Sequence, residues 1–99
     1  MNYTQEDVID LATCGWMEDR SSALSMCAVM HVVMNRVISP NFPDTVREVI
    51  HQHNQFSYTM PGNPEYGRDP ATSTGRDHEM WEAALTHHTS RSEDPYGEA

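Results

Sequence analysis

Glu18 closes an apolar stretch, following Trp16 and Met17 and facing a greasy run that begins at Ala23. A carboxyl set against apolar surface loses hydration, which favours its neutral form and holds a proton nearer neutral pH. That is general-acid chemistry. The same residue also reads as a solvated glutamate at a helix end, and spacing alone leaves both readings open. Six histidines and two cysteines are the other groups of reactive type. His51 and His53 alternate, and His87 and His88 are adjacent, but neither pair has an upstream Cys or Glu at zinc spacing. The expectation is therefore no metal and no cofactor. Cys14 and Cys27 both fall in apolar helical patterns, where a cysteine serves as a small hydrophobe. No electropositive surroundings mark either as a nucleophile, and nothing in their spacing requires a disulfide.

These groups must be positioned by helices. Thr4 is a good N-cap with Asp7 three residues on, and Val8, Leu11, Ala12, Gly15 and Trp16 then recur at helical spacing. Ser21 or Ser22 can cap a second helix, over 23–38, that is apolar nearly all round. Such a helix is expected to be the buried central one. His31 and Asn35, four apart, share one of its faces, and that face should look onto something polar. Pro43 suits the first turn of a third helix whose buried stripe is Val46, Val49 and Ile50. The alternation in Gln55-Phe56-Ser57-Tyr58-Thr59 predicts a short strand. Residues 61–75, rich in Pro, Gly, Asn and Asp, read as a long loop. A last helix over 77–88 turns Met80, Trp81, Ala84 and Leu85 inward, and a polar tail follows.

At 99 residues the chain forms one domain with room for one core and one cleft. Fifteen acidic residues against six basic ones, all arginine, leave a net charge of −9. That field repels polyanions, so direct nucleic-acid binding is not expected, whereas a basic protein partner is compatible with it. No run of about 18 apolar residues offers a membrane span. The polar, acidic start MNYTQEDVID lacks the basic and apolar regions of a signal peptide. The expectation is a product made in the cytoplasm.

Several fragments resemble one family in order along nearly the whole chain. The stretch from Ala28 to Val37, AVMHVVMNRV, resembles the central AVAxVVxNRV helix of the SleB-type (spore cortex-lytic) cell-wall hydrolases. Upstream, Trp16 to Arg20 resembles their YGEARGE segment, with Glu18 on the catalytic glutamate. Downstream, Pro40 to Val46 resembles PxFPxTV, Gln55-Phe56-Ser57 matches the QFS of the cleft, and Trp81 to Ala84 with Asp94 to Ala99 resembles the last helix and its DPTxGA turn. Three departures stand out. One residue is missing between Glu18 and Asn35, the motif's second acidic residue gives way to Ser21-Ser22, and the family's short aromatic-containing extension is not found after Ala99.

The resemblance implies a mostly α, lysozyme-like α+β domain with a buried central helix and a short β element at 55–59. It implies peptidoglycan glycan strands as substrate, with Glu18 as catalytic acid. Hydrolysing glycosidases usually use two carboxylates, and Asp44, Glu65 and Asp69 read as surface charges rather than a second seat. A lone Glu18 suits a lytic transglycosylase, in which one glutamate acts as acid and then base and the sugar's own hydroxyl is the nucleophile. Gln55, Ser57 and Tyr58 are then candidate substrate contacts, because amides and hydroxyls can hold sugar hydroxyls and N-acetyl groups. A short lysin of this kind suits a bacteriophage. The competing expectation is a non-catalytic acidic protein on the same fold that inhibits a basic or nucleic-acid-binding partner.

Overall fold

The computed structural model describes residues 3–52 and 56–90, the last three of them by backbone alone. Among the described residues, four α-helices and two single 3-10 turns make up the regular structure: α1 (Gln5–Asp19), α2 (Ala23–Val37), α3 (Val46–Ile50) and α4 (Gly75–Ser90), with 3-10 turns at Ser57–Thr59 and Pro70–Thr72. The first three helices start where side-chain caps allow. Thr4 and Asp7 form a reciprocal capping box on α1, Ser22 accepts from Ser25 N on α2, and Thr45 accepts from Glu48 N on α3. Each cap satisfies a backbone N–H that the helix itself leaves open. Thr45 in that role places Pro43 ahead of α3 rather than in its first turn.

α1 is the helix around which the others pack. Leu11, Ala12, Cys14, Trp16 and Met17 on it are all buried, and it packs against α2, α3 and α4. Gly15 lets α2 come close: a Cβ there would lie 2.8 Å from the Met26 carbonyl oxygen. Helix α2 lines the core with Met26, Met30, Val33, Met34 and Val37, but Leu24 is 72% exposed and Val32 43% exposed. The expectation of a centrally buried second helix is thus corrected, since α2 keeps one apolar side in water. The sequence pattern lacks a polar stripe, but its neighbours cover only part of its girth. The His31–Asn35 face is split in the same way, with His31 buried and Asn35 exposed.

The expected α+β architecture is also corrected. Among the described residues there is no strand, and the structure does not show a lysozyme-like fold. Phe56 is extended, but the chain then turns: Thr59 N donates to the Phe56 carbonyl at 3.2 Å and Met60 N to that of Ser57 at 3.0 Å. A strand needs a neighbour to pair its backbone groups. With none beside it, this segment satisfies them within its own turn, reinforced by Thr59 Oγ1 donating to the Phe56 carbonyl. The in–out alternation comes from burying Phe56 and half-burying Tyr58 in that turn.

Residues 60–74 are held down by charge. Arg20 lies 4.0 Å over the Trp16 ring and reaches Glu65 at 3.2 Å and Asp77 at 3.5 Å. Arg68 bridges the same two carboxylates at 3.2 and 3.3 Å. Trp16 Nε1 donates to the Asp77 carbonyl at 2.8 Å, which ties the end of α1 to the start of α4. The segment read as a long loop is therefore pinned at its middle, with the Pro70–Thr72 turn packed against α4.

Candidate active site

Glu18 lies in the last turn of α1, one turn beyond the buried Cys14. As a residue it is exposed. Its carboxyl nonetheless loses enough hydration to the adjacent protein to move its pKa above the ordinary carboxylate value. The next residue goes the other way. Asp19 accepts from both the hydroxyl and the backbone N–H of Ser21, at 2.5 and 3.2 Å, and these bonds hold its pKa down. Two neighbouring carboxyls are thus driven apart, one towards keeping a proton and one towards losing it.

The negative charge of Glu18 acts on both Tyr58 and Cys14. The Tyr58 hydroxyl donates to the Cys14 sulfur, and burial, ahead of these interactions, raises the pKa of the phenol. Burial likewise pushes the Cys14 thiol up to about 12, with the Glu18 charge adding to it and Tyr58 and Arg36 opposing it. A thiol so shifted stays protonated and inert. Arg36 in turn faces Phe42 and Phe56 at 5.1 and 5.8 Å from the ring centres.

Two grooves meet at Tyr58. The larger, about 490 Å³, runs between Thr13 and Met17 on α1 and the Tyr66–Pro70 stretch. The smaller, about 300 Å³, is bounded by Asp10, Arg47 and His51. Glu18 lines neither, although Met17, its immediate neighbour, lines the larger. Ser57 is exposed on the same 3-10 turn as Tyr58 and accepts from Asn63 Nδ2 at 3.3 Å. Gln55 lies outside the described residues, as do His53 and the segment from Asp94 to Ala99. Three other acidic residues have occupations of their own, and Asp44 is exposed. Glu65 is shared by Arg20 and Arg68, Asp69 caps the Pro70–Thr72 turn, and Asp10 pairs with Arg47 at 3.2 Å.

Sequence reasoning did not find the groove residues Thr13, Tyr66 and Arg68. Their signal was weak, because they come together only when the 60–74 segment folds back across α1. It also did not find that Cys27 and His31 of α2 approach His87 of α4, their ligand-type atoms lying within 4.8 Å of one another. The four-residue spacing of Cys27 and His31 carried half of that signal, while attention to adjacent and alternating histidines pointed elsewhere.

Residues 20–99 match the family described as cell wall hydrolase, a span that begins two residues after Glu18. No curated protein and no solved structure matches the chain. The matched span covers α2, α3, the turn carrying Tyr58 and α4, and leaves out α1, which carries Glu18 and the groove residues Thr13 and Met17. On that evidence the chain belongs to the cell wall hydrolase family.

Proposed function

We propose that the protein cleaves the glycan strands of peptidoglycan, with Glu18 as the single acid and base. Membership of a cell wall hydrolase family makes peptidoglycan the substrate class. What supports the catalytic reading is the partial desolvation of the Glu18 carboxyl, which moves its pKa upward, while bonds from Ser21 move that of Asp19 downward. In this reading the sugar chain lies along the groove that contains Met17, Tyr58 and Tyr66. Because the Tyr58 hydroxyl is already given to Cys14, the sugar meets its ring, while Ser57 and Gln55 offer the polar contacts. Protonated Glu18 gives its proton to the glycosidic oxygen as the bond to the anomeric carbon breaks. The carboxylate then takes the proton from a hydroxyl of the same sugar, whose oxygen closes onto that carbon. With water in place of the sugar hydroxyl, the same group supports hydrolysis.

A second reading is favoured by one observation: Glu18 is exposed and lines neither groove. In that reading the acidic protein is a non-catalytic binder that docks a basic partner or inhibits a nucleic-acid-binding one. Turbidity of a murein sacculus suspension separates the two. Clearing by the wild type that is lost in Glu18→Gln, with both proteins folded by circular dichroism, supports the enzyme. Equal clearing by both would remove Glu18 from the chemistry, and absence of clearing by either favours the binder.

A further inference from the structure

We propose that Cys27, His31 and His87 form a binding site for a zinc-class divalent transition metal that staples α4 to α2. Cys27 and His31 are four residues apart on α2 and therefore project from one face. His87 reaches them from the last turns of α4. Cys27 Sγ lies 2.8 Å from His87 Nε2, and the His31 and His87 rings meet edge-on with centroids 5.7 Å apart. One ligand atom from each residue falls within a span of 4.8 Å. Zinc–sulfur and zinc–nitrogen bonds of about 2.3 and 2.0 Å put tetrahedral ligand atoms roughly 3.3–3.6 Å apart. Side-chain adjustments of about an ångström therefore suffice.

The donor set selects the ion. A thiolate with two imidazoles suits zinc and its transition-metal neighbours, whereas calcium and magnesium require oxygen ligands. Cys27 and His31 are 5% and 6% exposed and His87 is half-buried, so the cluster is enclosed on the α2 side and opens past α4. Binding displaces the Cys27 thiol proton to solvent and leaves a metal–thiolate bond, with no change in oxidation state. Three protein ligands leave a fourth position for water. None of the three residues lines either groove beside Tyr58, so the site does not depend on the glycan-cleaving role. Its effect is to fix the end of α4.

Chelator-stripped full-length protein, titrated with Zn²⁺ against a chromogenic chelator, should take up one equivalent and melt at a higher temperature. Co²⁺ in its place should give a thiolate-to-cobalt charge-transfer band and the visible absorption of tetrahedral cobalt. His87→Gln and Cys27→Ser should each weaken zinc binding at least about tenfold, the lower end of what losing even a ligand's supporting partner costs. Cys27→Ser should also remove the charge-transfer band. His87 is only half-buried, so His87→Gln carries the test if Cys27→Ser does not fold. Absence of zinc uptake by the wild type would overturn the site and leave a metal-free thiol–imidazole contact. Uptake that is unchanged in His87→Gln, without a thiolate band in the wild type, would overturn it equally and assign the ion to exposed side chains.

Discussion

Gly15→Ala tests the packing of α1 on α2 directly. A methyl group at this position would sit 2.8 Å from the Met26 carbonyl oxygen and 3.0 Å from Met30 Cγ. The methionine side chain can swing away, but the carbonyl belongs to the backbone of α2. Relief therefore means separating two helices by several tenths of an ångström along a packed seam. Overpacking of this kind costs about 1–3 kcal/mol. Alanine's better helix propensity returns up to about 1 kcal/mol, because Gly15 lies in the interior of α1. The net expectation is a loss of about 1 kcal/mol, within a range of roughly 0–2. For a domain of this size each kcal/mol moves Tm by roughly 4–8 °C, so thermal unfolding followed by circular dichroism should show a clear drop. A variant more stable than the wild type would mean that the helices do not approach as closely as described and would refute the reasoning.

Three other outcomes follow from the site and its supports. Glu18 has a raised folded-state pKa, so its favourable contribution is complete below the ordinary carboxylate range and is lost as pH rises through the raised value. The Tm difference, Glu18→Gln minus wild type, should accordingly be more positive at pH 7 than at pH 4, and a pH-independent difference would contradict the desolvated carboxyl. Glu65→Gln weakens its bonds to both Arg20 and Arg68. For such partly exposed pairs the cost should be about 0.5–1 kcal/mol, reduced by salt, with faster proteolysis within 60–74 as the local readout. Cys14, with its thiol pushed up to about 12, should resist a thiol reagent at pH 8 in a Cys27→Ala background until the protein is unfolded. Rapid native labelling would place Cys14 nearer solvent than the structure does.

The helices were legible because their signals are local. Thr4 with Asp7, Ser22, and the apolar spacing through Trp16 and through Met80 to Leu85 act within one or two turns, and the structure bears them out. The resemblance carried by AVMHVVMNRV and its companions likewise led to the cell wall hydrolases, the family that the match over 20–99 shows, while their SleB type goes beyond that match. Where the reading failed, the missing information was a neighbour. Alternation at 55–59 does not say whether a pairing strand exists, and without one the chain closes into a 3-10 turn. An apolar helix does not say how much of its surface the other helices reach, so α2 is wet at Leu24 and Val32 while α1 takes the centre.

The amino-acid sequence by itself determined where helices begin, which stripes are apolar, the strongly acidic balance and the family. Tertiary structure alone decided that Glu18 is exposed yet partly desolvated, that Arg20 and Arg68 fasten the 60–74 segment to α1 and α4, and that Cys27, His31 and His87 converge. Propensity and capping depend on residues within a turn of one another, whereas hydration and side-chain encounter depend on residues far apart in the chain, as Cys27 and His87 are at sixty positions and Trp16 and Asp77 at 61.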